Sequence, residues 1–403
     1  MHSLLLFLGE LLSFWQSHIC FFLAALVGCV VTTPLAKKIA IKLDAVDYPN
    51  KRRINKEPIP RMGGLAIVFG LACAVLVHHL GGMVGLWPAI LESSPHLHLN
   101  YPLLILAFIA VFITGLVDDI RSLSPKKKLA GQLIAAIIAV SAGLVIGVID
   151  NPFAPGYIHL GWLAYPITVV YLVAYMNIIN LIDGLDGLVA GISFFASVTM
   201  LILSMWAGRL DAAFLSAAVA GSTLGFLKYN FNPASIFMGD SGSLTLGFSL
   251  GAISLLSVTR VAGLTTLIVP LVIAAVPIID TFSAIVRRMR AHVSIGQADK
   301  GHIHHRLLDE GFNQRQTVLL MYVWTALLCA GSLVMTQVET IPRIGIFLVL
   351  LAMSVMFAVH LRLFEPVLLH HYNPKTGEDE LVRPGEDGFE EEAEKLDEHH
   401  HLL

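Results

Sequence analysis

Long apolar runs, broken by short polar stretches, fill most of this chain. A helix needs about 20 predominantly apolar residues to cross the roughly 30 Å hydrocarbon core of a bilayer. Such runs lie near residues 17–36, 63–80, 101–117, 129–149, 158–179 and 187–207. Others follow near 211–227, 242–259, 262–286, 317–336 and 342–363. Several contain Gly or Pro, which membrane helices tolerate. The pattern predicts an all-α, polytopic membrane protein with about eleven transmembrane helices. With the N-terminus outside, every Lys and Arg except Arg209, Arg260 and Arg343 falls in a cytoplasmic segment. That asymmetry sets the orientation, N-terminus outside and C-terminus cytoplasmic.

Composition agrees: 56% of the 403 residues are hydrophobic and 14% charged, against about 25% charged in soluble domains. Mean hydropathy is +0.75. The lipid bilayer is therefore the first expected partner, and the net charge of −3, with no long basic block, argues against nucleic acid. Cys20, Cys29, Cys73 and Cys329 all lie in apolar runs without paired spacing and read as small hydrophobes. The N-terminus lacks the basic region of a cleaved signal peptide. Two regions follow: a membrane body over 1–369, and an acidic cytoplasmic tail over 370–403 expected to be disordered. No internal repeat suggests an inverted-repeat transporter.

Within the greasy body, "NIINLIDGLDGL" (177–188) gathers two asparagines, two aspartates and two glycines. An unpaired polar group in hydrocarbon costs several kcal/mol, so these side chains must meet protein, ligand or the membrane edge. The topology puts Asp118 and Asp119 where the third span leaves the bilayer on the cytoplasmic side. Asp183 and Asp186 fall in the connection between spans five and six, and Asp240 in the loop before span eight. "GHIHHR" places His302, His304 and His305 before span ten. An ion or proton pathway would carry acids at mid-membrane and on both sides; here they gather at one interface. Carboxylates with asparagine suit Mg²⁺, and nearby histidine and arginine suit phosphate. Asp280, inside span nine, reads as a salt bridge within the bundle. His78, His79, His96 and His98 lie outside and read as bystanders.

The motifs "DYPNKRRINKEPIPRMGG", "VDD…LSPKKKLAGQ", "NIINLIDGLDGL", "FMGDSGSLTLG" and "GHIHHRL" resemble, in this order, those of the polyprenyl-phosphate N-acetylhexosamine-1-phosphate transferase superfamily. The similarity covers roughly residues 35–320. "HIHH" resembles the bacterial branch that loads N-acetylglucosamine-1-phosphate, the starters of O-antigen, common-antigen and teichoic-acid synthesis. The sister enzyme that loads phospho-N-acetylmuramoyl-pentapeptide typically carries three consecutive histidines there. It is the alternative within the superfamily, and an ion-coupled transporter is the alternative from another class.

The resemblance implies a membrane transferase over 1–369, in the bacterial inner membrane with its active site facing the cytoplasm. Its partners would be a UDP-sugar donor and a polyprenyl phosphate acceptor; a homodimer is left open. Asp240 matches the Mg²⁺-binding aspartate and Asn180 an asparagine near the metal and pyrophosphate, with Mn²⁺ as a substitute ion. Asp118 and Asp119 match an aspartate pair to which base or metal roles are assigned. Phe237 and Asn230 match positions that hold the uracil; Asp183 and Asp186 line the nucleotide pocket, and Lys56 lies near the nucleotide. His302, His304 and His305 match a motif that contacts the donor phosphates, with Arg287, Arg288 and Arg290 in a basic stretch ahead of it. A phosphate monoester has its second pKa near 6, so about nine in ten acceptor phosphates are already dianionic at pH 7. That favours charge organisation over base catalysis for the Asp118–Asp119 pair.

Overall fold

The computed structural model describes residues 2–48, 58–88, 90–91, 99–150, 156–258, 270–290, 301–365, 369–373 and 378–382. Each of the eleven apolar runs overlaps a helix. In chain order these are α1 (His2–Lys42), α2 (Gly63–Met83), α3 (Tyr101–Ile120), α4 (Pro125–Ser141), α5 (Ala164–Leu181) and α6 (Leu188–Trp206). There follow α7 (Leu210–Asn230), α8 (Gly239–Val258), α9 (Ala275–Arg290), the short α10 (Ile303–Asp309), α11 (Gln314–Gln337) and α12 (Thr340–His360). Among the described residues, eight helices are long and apolar enough to cross a membrane: α1, α2, α3, α5, α6, α7, α11 and α12.

Three expected spans differ. The run read as 129–149 is helical only to Ser141, and the chain then enters a strand, Val148–Asp150, antiparallel to Tyr157–His159. α9 is 16 residues long as described. α8 has the length, 20 residues, but is rich in Gly and Ser. Its place in the bundle explains that composition. α8 packs against α2, α3, α5, α6 and α7. One of its faces joins a core with α1, α6 and α7 through Leu246, Leu250 and Ile253; another joins a core with α3 and α4 through Leu244, Phe248 and Leu255. Small residues let neighbouring backbones approach this closely. Its hydroxyls turn back onto the helix, Thr245 Oγ1 donating to Ser241 O and Ser249 Oγ to Thr245 O, each at 2.6 Å.

Local chemistry fixes several boundaries. Asn100 caps α3 by accepting from Leu103 N at 3.0 Å, and Asn313 with Gln316 forms a capping box at the start of α11. Pro34 lies inside α1 and has no N–H for the carbonyl of Val30. Tyr229 of α7 supplies the missing donor to Val30 O at 3.3 Å, as hydrocarbon requires. Within the tail expected to be disordered, Leu369–Asn373 pairs antiparallel with Glu378–Val382; 383–403 lie outside the described residues.

Candidate active site at the helix ends

The C-terminal ends of α3 and α5 meet the N-terminal ends of α4 and α8, and polar residues from all four converge there. α4 and α5 present matching faces. Lys128 and Gln132 stand four apart on one, Asn177 and Asn180 three apart on the other, so each pair shares a helix face. Gln132 and Asn177 exchange amide bonds, Asn177 Nδ2 donating at 2.7 Å and Gln132 Nε2 at 3.3 Å. One turn nearer the helix ends, Lys128 Nζ donates to Asn180 Oδ1 at 3.0 Å and to Asp240 Oδ1 at 2.7 Å. It also lies 3.1 Å from Asp118 Oδ2. The lysine ammonium is thus surrounded by three hard oxygens from three helices. Asn180 Nδ2 donates to Asp240 Oδ1 and, at 2.8 Å, to Ser243 Oγ, which orients the amide oxygen toward the cation.

The two adjacent aspartates divide here. Asp118 joins the cage, and its Oδ1 also accepts from Leu123 N at 2.5 Å. Asp119, 2% exposed, spends its oxygens on the start of α8. It accepts from Asp240 N at 2.7 Å, Ser241 N at 3.1 Å and Ser241 Oγ at 2.5 Å. A carboxylate at a helix N-terminus satisfies orphan N–H groups and complements the helix dipole. Asp119 therefore sets the position of Asp240 instead of facing outward. Gly239, in the left-handed region with φ 71°, makes the approach feasible: a side chain there would collide with Arg61 O and with the Asp119 carboxylate.

Asp183 lies just past α5, half-buried. Burial, then the charges of Asp240, Asp119 and Asp186, push its carboxyl up to about 8, with Lys128 pulling the other way. Asp186 instead braces a loop, accepting from Ala234 N at 2.9 Å and Asn232 Nδ2 at 3.1 Å. Asn232 reaches on to Gln314 of α11 at 2.6 Å. Gly187, with φ 81°, starts α6; its N–H goes to Asn230 Oδ1 at 3.1 Å and its carbonyl accepts from Tyr322 at 2.5 Å. Asn230 Nδ2 donates to Ile236 O at 3.0 Å. Both ends of the Asn230 amide thereby bond to backbone, at Gly187 N and Ile236 O. Phe237 is half-buried, and its backbone ties the loop to Pro60 O and Gly63 N at 2.8 and 2.9 Å.

The histidine motif sits on another support. His302 precedes α10, with its Nδ1 2.8 Å from Asp280 Oδ2, while His305 is half-buried in the helix. His304 lies in α10, its side chain outside the described part, and Lys56 lies outside the described residues. The arginine stretch is largely tied inward. Arg287 donates to Ser283 Oγ at 3.0 Å and to Leu363 O, and Arg290 donates to Phe364 O at 2.9 Å. Arg288 is buried. Arg287 and Arg290 thus each bond to the chain after α12.

The candidate residues read from the sequence did not include Lys128; Asp280 was read as a salt bridge within the bundle, and the structure supplies His302 as its partner. The four-residue spacing of Lys128 and Gln132 was the available signal for the first.

Residues 101–258 match the glycosyl transferase family 4 profile. The chain is 40% identical over 302 residues to a probable undecaprenyl-phosphate N-acetylglucosaminyl 1-phosphate transferase of Bacillus subtilis, covering 75% of this chain and 80% of that protein. It is 34% identical over 338 residues to a decaprenyl-phosphate N-acetylglucosaminephosphotransferase of Mycolicibacterium smegmatis, covering 77% and 80%. A phospho-N-acetylmuramoyl-pentapeptide-transferase of Shouchella clausii is 33% identical over 277 residues, covering 66% and 79%.

Proposed function

We infer that this chain, which belongs to glycosyl transferase family 4, transfers N-acetylglucosamine-1-phosphate from UDP-N-acetylglucosamine to undecaprenyl phosphate. UMP leaves, and the lipid-linked diphospho-sugar starts a cell-surface polysaccharide. The observation that carries the chemistry is the cage of Asp118, Asn180 and Asp240 oxygens around one cationic group, at 2.7 to 3.1 Å.

The donor set fits Mg²⁺, with Mn²⁺ as a substitute. Mg²⁺ usually takes one or two carboxylates and completes its shell with water and substrate phosphates. Asp240, Asp118 and Asn180 would hold the ion, which when bound offsets phosphate charge and polarises the attacked phosphoryl group. Lys128, in reach of the same oxygens, adds a positive charge where two anions must meet. Asp119 and Ser243 hold Asp240 and Asn180 in place beforehand, so that little reorganisation accompanies reaction. The half-buried Phe237 ring is the surface offered to the donor's base.

We place the site at the cytoplasmic face of the bacterial inner membrane, with α4, α8 and α9 joining the eight apolar helices as spans and the N-terminus outside. Residues 1–369 form the transferase and 370–403 an appended acidic tail. Detergent-solubilised protein incubated with undecaprenyl phosphate and Mg²⁺ should release UMP from UDP-N-acetylglucosamine. It should refuse UDP-N-acetylmuramoyl-pentapeptide, because the "HIHH" motif departs from three consecutive histidines. Faster turnover of the muramoyl donor overturns the branch assignment, and no UMP from any donor overturns the transferase reading.

A further inference from the structure

Asp280 lies in α9 with no exposed surface, yet it belongs to none of the motifs above. Its two oxygens serve two consecutive residues of the histidine loop. Oδ1 accepts from Ile303 N at 2.7 Å, and Oδ2 lies 2.8 Å from His302 Nδ1. A carboxylate only accepts, so this arrangement places the ring proton on Nδ1. It makes Nε2 the acceptor nitrogen of the ring. A histidine's second nitrogen is set by the bond its first one makes. One and two turns further along α9, Ser283 and Arg287 bond to each other, and Arg287 fastens the chain beyond α12. The helix that carries Asp280 is therefore itself anchored to the chain beyond α12.

We propose that Asp280 is a positioning residue of the transfer reaction, holding the His302 ring with its proton on Nδ1 so that Nε2, and not Nδ1, accepts a hydrogen bond from a hydroxyl of the nucleotide-sugar donor. The proposal rests on the function inferred above and names the group that makes one motif histidine usable. A bland reading is that Asp280 merely caps α10. Asp280→Asn separates the two. Its amide oxygen keeps the bond to Ile303 N, while its NH₂ faces the ring and forces the proton onto Nε2.

The test measures UMP release from UDP-N-acetylglucosamine by wild type, Asp280→Asn, His302→Ala and the double variant, with the unfolding temperature of each in detergent. Asp280→Asn is expected to keep the wild-type unfolding temperature and to lose about 10–100-fold in kcat/KM, the range for groups that orient a functional imidazole. The double variant should lose no more than His302→Ala alone. Multiplying losses, or a fully active Asp280→Asn, overturn the proposal. Should Asp280→Asn fail to fold, His302→Gln and His302→Asn decide. Glutamine places its amide near the Nε2 position and asparagine near Nδ1, so glutamine should retain the greater activity; the reverse order overturns the assignment. A wild type that releases no UMP removes the function inferred above, and the proposal with it; an active wild type confines any failure to Asp280.

Discussion

Two clusters built from the same residue types lie at one end of this bundle and do different work. In the cage, Asp118, Asn180 and Asp240 turn their oxygens toward one another around Lys128, and the Asp240 side chain keeps 29% of its surface exposed. In the brace, Asp186, Asn230 and Asn232 spend much of their hydrogen bonding on backbone and on Gln314. A carboxylate or amide satisfied by backbone has been given to the fold. One that meets other like-charged or amide oxygens needs a cation between them. The partner of a polar side chain, more than its identity, separates chemistry from architecture here.

The largest expected effect breaks the cage. Asp240→Asn removes a charge from the one oxygen that both Lys128 and Asn180 contact. Metal-assisted stabilisation is worth several kcal/mol, so kcat should fall by at least about 100-fold while the protein remains folded. UMP release at saturating Mg²⁺ checks this, and retention of most of the wild-type rate would falsify the metal role.

Asp119→Asn comes next, because Asp119 acts on the cage only through α8. Losing a charged cap costs about 1–2 kcal/mol of stability, and a displaced Asp240 should lower kcat about 10-fold at every pH tested. Recovery of activity above pH 8, where the acceptor phosphate is fully ionised, would restore the general-base reading.

Much of this was legible in the sequence. The apolar runs follow from hydropathy, and each overlaps a helix; the grouping of Asp118, Asn180 and Asp240 follows from the family resemblance. What was hidden is how individual neighbours point. Asp118 and Asp119 are adjacent in the chain, yet one faces the cage and the other α8. Successive helical residues are about 100° apart, so neighbours in sequence face different partners. α8 was legible as an apolar run, but its Gly and Ser content makes sense only from the five helices around it. Asp280 was legible as a salt-bridging residue, but its partner, His302, was not, because it is 22 residues away across a loop.

A smaller effect tests the electrostatics between the two clusters. Asp183 has its carboxyl pushed up to about 8 from an ordinary 3.8, first by burial and then by the surrounding carboxylates. The folded protein thus binds more protons than the unfolded one between those values. Stability contributed by this group is lost as pH rises through the window. In metal-free detergent solution, the wild-type unfolding temperature should fall from pH 5 to pH 9 more steeply than that of Asp183→Asn. Parallel curves would show that Asp183 does not carry the strained charge.

The smallest effect on activity belongs to the brace. Asn230→Ala leaves Gly187 N–H and Ile236 O without their partner, and a buried group left unsatisfied costs about 1–3 kcal/mol. The unfolding temperature should drop. Turnover at saturating donor should change by no more than about threefold, since no cage residue has lost a contact and a threefold rate change corresponds to less than about 1 kcal/mol. Were Asn230 instead a reader of the uracil, the variant would keep its unfolding temperature and raise KM for UDP-N-acetylglucosamine tenfold or more. The two outcomes differ in which measurement moves. Stability moving alone assigns Asn230 to the fold; KM moving alone returns it to the nucleotide and erases the line drawn between cage and brace.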